Sequence, residues 1–232
     1  MTMTDNDYVE RNRLRRTPLL WSYLHSIIMS SNVDDLTKLA RSEEQSKTYQ
    51  RWRNVIKYEW KTIYDYILCT KFEYEWVWDD RDAQVDTESN GGCHSNDTNR
   101  KKRSVKPLQP SHQSQLDDVG GLRESQLKLC INDFPYYFAP GIQHWVLWKL
   151  GGRVTSDEIT RAKINIWDEF HDEGSNKRND FEESGTVERI VNDPRLFLHW
   201  ENPPQLRSLP GIDHVHIVFS GELSLTPETP PV

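Results

Sequence analysis

Asp213-His214-Val215-His216-Ile217-Val218-Phe219 is the stretch on which the fold turns. Its β-branched and aromatic residues favour an extended strand, over Asp213–Ser220, rather than a helix. Successive strand side chains point to opposite faces, so His214 and His216 share one face while Val215, Ile217 and Phe219 share the other. An imidazole in an apolar strand needs polar partners for its ring nitrogens. Two on one face therefore predict a cleft or a polar network rather than a plain core. Upstream, Gln143–Lys149 reads as a second strand, with His144, Val146 and Trp148 on one face and Trp145 and Leu147 on the other. Leu127–Ile131 is a short apolar run and Leu196–Trp200 a further strand. Between them Thr155 and Glu158 form a capping box ahead of the apolar stripe Ile159, Ala162, Ile166, Trp167 and Phe170. The second half thus predicts an α+β unit around a small antiparallel sheet.

The first half is helical in pattern. Thr17 and Pro18 read as the N-cap and first residue of a helix carrying Leu19, Leu20, Tyr23, Leu24, Ile27 and Ile28. A short helical turn is expected around Asp35–Ala40. Ser42 and Gln45 form another capping box, and Tyr49, Trp52, Ile56, Trp60, Ile63 and Ile67 then trace one stripe along a single long amphipathic helix. Phe72, Tyr74, Trp76 and Trp78 alternate with period two, as a strand or an extended arm does. From Asp79 to Asp133 there is then no aromatic residue in 55 positions. Such a stretch cannot bury enough apolar surface to offset chain entropy. The expected organisation is a disordered N-terminus over 1–16, a helical part over 17–78 and a disordered insertion over 79–121. The α+β part follows over 122–225, with a frayed tail over 226–232.

The net charge of −7 argues against general nucleic-acid binding, which needs a basic face to displace phosphate counterions. Cys69, Cys93 and Cys130 are odd in number and widely spaced, which supports neither a disulfide framework nor a cysteine metal site. The start of the chain lacks the basic flank and apolar run of a signal peptide, and no run is long enough to span a membrane. These features predict a cytoplasmic protein. Arg100-Lys101-Lys102-Arg103, inside the insertion, offers a nuclear-import signal.

Four of the eight histidines, His144, His199, His214 and His216, fall in predicted strands. Two chemistries suit them. One is metal ligation, with His144 or His199 as third ligand and Glu201 or Asp213 as carboxylate. The other is phosphate chemistry, in which one imidazole attacks phosphorus while Arg207 and Ser208 hold the charged oxygens. No resident cofactor is expected. Trp145, Trp148 and Trp200 could equally stack on a base or sugar ring without any turnover.

Two long motifs bring a family resemblance. Asn132-Asp133-Phe134-Pro135-Tyr136-Tyr137-Phe138 with His144-Trp145-Val146, and Trp200-Glu201-Asn202-Pro203-Pro204-Gln205-Leu206-Arg207-Ser208 with Asp213–Ile217, resemble the fungal N-acetylglucosamine-induced protein family, a domain of unknown function. The resemblance implies an intracellular protein linked to amino-sugar response and supplies no catalytic residues. More distantly, Asp133-Phe134-Pro135 ahead of His144, and Asn202 and Ser208 ahead of His214-Val215-His216, look like the nucleotide-binding elements of the histidine-triad superfamily. That likeness implies a histidine-triad-like sheet and a nucleotide or nucleotide-sugar hydrolase or transferase. His216 would be its nucleophile and His214 its orienting partner. Asn132, Asp133, Pro135, His144, Trp148, Asn202, Arg207 and Ser208 would line the pocket for a small phosphorylated ligand. The third histidine of the triad is Val218 here. Three functions stay open: such an enzyme, a non-catalytic nucleotide- or sugar-binding regulator, and a His-ligated metal protein.

Overall fold

The computed structural model describes residues 8–9, 14–30, 32–79, 101–106, 126–172, 184–207, 209 and 211–221. Two compact units divide the chain, one formed by residues 1–46 with 127–232 and the other by residues 47–126. The fold is α+β.

The first unit is built on a four-stranded sheet of β5 (Gln126–Ile131), β6 (Ile142–Leu150), β7 (Phe197–Trp200) and β8 (Asp213–Ser220), in the spatial order β5-β6-β8-β7. The central strand β8 runs antiparallel to both β6 and β7. The histidine strand is thus paired on both sides, and its bounds match those read from the sequence.

The two faces of the sheet carry different cores. Trp145, Leu147, Phe197, Val215, Ile217 and Phe219 pack under α4 (Ser156–Asp172) and α5 (Ser184–Val191) through Ile159, Ala162, Ile166 and Val191. The expected capping box starts α4, with Thr155 N–H donating to Glu158 Oε2 and Glu158 N–H to Thr155 Oγ1. Gly151 and Gly152, both at positive φ, turn the chain from β6 towards that helix. On the opposite face Leu198, Trp200 and Val218 meet Leu19, Leu24, Ile27 and Leu39, with Tyr136, Phe138 and Ile142 at the margin. An N-terminal helix, α1 (Trp21–Ile28), therefore does pack on the sheet.

Its start corrects the sequence reading. Thr17 does not cap it: Leu20 is the N-cap and makes no side-chain cap bond. The preceding backbone is committed elsewhere, because Leu19 N–H donates to Tyr137 O (2.7 Å) and Leu19 O accepts from Ala139 N–H (2.9 Å). A strand-like bridge between Leu19 and Phe138 thus competes with the first helical turn and wins. A short pair, β1 (Tyr8–Val9) with β2 (Leu14–Arg15), lies within the N-terminal stretch expected to be disordered. The turn expected near Asp35 is a 3-10 helix over Val33–Lys38.

The second unit holds most of α2 (Glu43–Glu59), α3 (Ile63–Lys71), β3 (Trp76–Asp79) and β4 (Lys102–Val105). The predicted single helix is broken here. Trp60 ends the first segment, and Thr62 caps the second by accepting from Asp65 N–H (3.0 Å). Lys61 N–H meanwhile donates to Arg103 O (2.8 Å) instead of continuing a helical ladder. The apolar stripe survives the break because Trp52 and Trp60 both set their rings edge-on to Tyr66. β4 corrects the reading of the insertion. Lys102–Val105 pairs antiparallel with Trp76–Asp79, so part of 79–121 is a strand; residues 80–100 and 107–125 lie outside the described residues.

Candidate functional site

The side-chain alternation that put His214 and His216 on one face also places His144 there, across the β6–β8 ladder. The register sets Val146 opposite His216 and Trp148 opposite His214, while β7 sets Trp200 opposite His216. His199 alternates to the other face, with Ile217 as its cross-strand partner, and is exposed. Three of the four strand histidines therefore converge and the fourth does not.

His144 and His216 are in direct contact. His144 Nε2 lies 3.0 Å from His216 Nδ1, and His216 Nε2 lies 3.0 Å from Asn202 Nδ2. The order of donors along this chain can be worked out. Trp200 Nε1–H can only donate, and it does so to Asn202 Oδ1 (3.2 Å), which fixes the amide so that Nδ2 faces the imidazole. Asn202 Nδ2 then donates to His216 Nε2, which is left without a proton. Neutral His216 carries its proton on Nδ1 and donates it to His144 Nε2. This assignment is inferred from the network. Asn132 completes it: its Oδ1 accepts from Phe134 N–H (2.9 Å), and its Nδ2 stands 3.3 Å from both ring nitrogens of His144.

Aromatic rings enclose the pair. Trp200 stacks on His216 with centroids 4.9 Å apart and Tyr136 stacks on His144 at 5.7 Å, while Phe138 meets His144 edge-on at 5.3 Å. Burial, with the nearby Arg41 guanidinium second, pushes the His144 pKa down to about 3. Burial likewise holds His216 well below the usual histidine value, reinforced by His144, His214 and Arg41. Both rings are neutral at physiological pH. Arg41 itself is anchored on Phe134 O (2.9 Å) and lies over the Tyr136 ring.

His214 differs. Its Nδ1 donates to Ile212 O (3.1 Å), and its ring lies 4.8 Å from that of Trp148. Among the described residues its Nε2 has no hydrogen-bond partner. The residue is buried, 5% exposed, beside the half-buried Trp148. Burial lowers the His214 pKa too, opposed by the Ile212 carbonyl.

The remaining expected site residues divide. Asp133 is exposed and Pro135 half-buried in the turn after β5. Arg207, read as a phosphate contact, is already engaged: Nη2 lies 3.0 Å from Glu201 Oε2, Nη1 3.5 Å from Asp213 Oδ1, and Nε donates to Asn202 O. Ser208 lies outside the described residues. The nucleophile expected at His216 meets a geometric obstacle, since attack on phosphorus needs a lone pair facing substrate and both its nitrogens face protein. Among the described residues no group of three or more His, Cys, Asp or Glu side chains is placed to hold a metal ion. The sequence reading passed over Arg41 and the enclosing role of Tyr136 and Phe138. Arg41 lies some ninety positions away in sequence, and its segment is held close by the hydrogen bond from Tyr137 N–H to Ala40 O (2.9 Å).

Residues 20–220 match the family described as Protein of unknown function (DUF3605). The chain belongs to that family. The match spans the whole histidine network of this DUF3605 protein, from Arg41 to His216. No curated protein matches it. The solved structure described as "Crystal Structure of HTC1" is 16% identical, covering 87% of the DUF3605 chain and 84% of its own, with a TM-score of 0.42. No helix among the described residues is long and apolar enough to cross a membrane.

Proposed function

We propose that this DUF3605 protein is a non-catalytic binding protein for a nucleotide or sugar ligand, which docks against His214 and Trp148. One observation carries this reading. Of the three converging imidazoles, those of His144 and His216 are closed into a buried network, while His214 uses only its Nδ1 among the described residues and leaves Nε2 beside the half-buried Trp148 ring. A neutral imidazole nitrogen accepts from a ligand hydroxyl or amide, and the Trp148 ring offers a flat face to a base or pyranose. The closed pair below is a rigid floor rather than a reaction centre. The carboxylates of Glu201 and Asp213 around Arg207 offset its charge, which favours contacts to hydroxyl and amide groups over capture of a free phosphate.

Titration calorimetry with uridine diphosphate N-acetylglucosamine, N-acetylglucosamine and adenosine monophosphate tests the reading. The expected result is saturable binding to at least one of them, weakened roughly tenfold in His214→Ala, as the loss of one good hydrogen bond implies, with no product formed. Turnover of any of the three, abolished by His216→Ala, would instead establish the histidine-triad-like enzyme. Absence of binding to all three would remove the proposal.

A further inference from the structure

The helix side of the sheet buries a charge that nothing there neutralises. Among the described residues the buried Asp, Glu, Lys and Arg side chains are Arg15, Asp79, Lys149 and Lys163. Three of them have partners. Asp79 pairs with Lys61, Lys149 donates to both carboxylate oxygens of Glu158 (2.7 and 2.8 Å), and Arg15 donates to the Thr17 and Lys38 carbonyls. Lys163, only 5% exposed, has neither an ion pair nor a hydrogen bond among the described residues. A lysine is almost never buried in this way, because stripping water from an unpaired ammonium is strongly unfavourable.

Helical spacing explains the placement. Lys163 comes four residues after Ile159 and three before Ile166, so it lies in the stripe of α4 that packs on the sheet. His199 meets it from the sheet. Its cross-strand partner Ile217 belongs to the core under α4, yet His199 itself is exposed and has no hydrogen-bond partner among the described residues. β7 is an edge strand of the sheet, which puts the pair at the sheet margin. The two groups sense each other, since desolvation and then the Lys163 charge push the His199 pKa down to about 4. Burial lowers the Lys163 pKa from its ordinary value. A lysine so placed gives up its proton readily, and the neutral amine is a nucleophile.

We propose that Lys163, with the exposed His199 at its opening, is a carbonyl-reactive site that takes small aldehydes as a Schiff base. The buried, partnerless amine carries the assignment, because no carboxylate holds it as a permanent ammonium. In the step, the Lys163 nitrogen attacks the carbonyl carbon and a C–N bond forms. Both amine hydrogens end on the former carbonyl oxygen, which leaves as water when the C=N bond closes. His199, neutral at pH 7, takes a proton from the nitrogen and passes it to the departing oxygen. A single imidazole at the approach and a buried lysine stem suit a small carbonyl compound. The site lies on the sheet face opposite His214, so it is independent of ligand binding there.

The experiment treats the full chain with glycolaldehyde and cyanoborohydride at pH 7, the hydride reducing any imine to a stable secondary amine. Peptide mass spectrometry then reads the adduct at each lysine. Exposed lysines are almost wholly protonated at this pH, and exposed Lys57 serves as the internal reference. Lys163 is expected to be modified at least roughly tenfold faster than Lys57, as one unit of lowered pKa implies. His199→Gln should slow modification at Lys163 by at least about tenfold while leaving Lys57 unchanged. Lys163→Met, which fits the apolar stripe, should keep or raise the melting temperature, as replacing an unpaired buried ion does. Modification of Lys163 no faster than that of Lys57 overturns the proposal, as does modification that begins only when urea unfolds the chain. An unchanged rate in His199→Gln overturns the pairing of the two groups. A marked loss of melting temperature in Lys163→Met overturns the premise that the amine has no partner.

Discussion

At the scale of single residues, Asn202 decides the state of the histidine network. Trp200 orients its amide, and the amide in turn sets which nitrogen of His216 carries the proton. Asn202→Ala would leave His216 Nε2 buried without its donor and Trp200 Nε1–H without its acceptor. Each orphaned polar group costs about 1–3 kcal/mol, so urea unfolding should show a loss of at least that size. Nitrogen-15 NMR of labelled imidazoles supplies a sharper check, with His216 expected as the Nδ1–H tautomer and converting to a mixture in Asn202→Ala. The shared face of His214 and His216 was legible in the sequence, because strand alternation is a local rule. Their different fates were not. Which of them is roofed by Tyr136 and Trp200 depends on contacts across 16 and 80 positions, which no local pattern encodes.

Single elements show where local rules hold and where long-range pairing overrides them. The capping boxes at Ser42 and Thr155 form as the spacing predicts, since each is complete within four residues. Ser42→Ala and Thr62→Ala should each lower stability by about 1 kcal/mol, read from the denaturation midpoint. The helix break at Trp60–Thr62 was hidden because the apolar spacing of 3 and 4 continues straight across it. What breaks the helix is β4, whose Arg103 carbonyl takes the Lys61 amide hydrogen. β4 itself was illegible for a related reason: Lys-Arg-Ser-Val has no apolar alternation, and its strand is stabilised by cross-strand tryptophans and the Glu59 ion pair. The start of α1 failed in the same way, with Leu19 drawn into a bridge to Phe138.

For the whole molecule, the buried histidines set a stability profile in acid. Their folded pKa values lie below the unfolded one, so the unfolded chain binds the extra protons. Their contribution is present above the ordinary histidine value of 6.5 and is lost as pH falls below it, for His144 down to about 3. With His144 and His216 both held neutral, stability should fall by up to about 2.7 kcal/mol per pH unit in the lower part of that window. Urea midpoints at pH 7, 6, 5 and 4 measure this, and His144→Gln should flatten the curve. The α+β class and the extent of β8 followed from sequence pattern, whereas the strand order and the division of the chain into two units did not. That division falls inside α2, where composition gives no linker signal.

Asp79 and Lys102 are direct cross-strand partners, so β3 ends and β4 begins at a single rung of the ladder. Whatever joins those two residues only has to close a gap one strand spacing wide, and closure entropy grows slowly with loop length. The register of the ribbon therefore sets no length for that segment. Replacing residues 80–101 with an Asn-Gly turn should leave the melting temperature within a few degrees of the parent. The same rung is a natural port for splicing in a fluorescent protein or an affinity epitope.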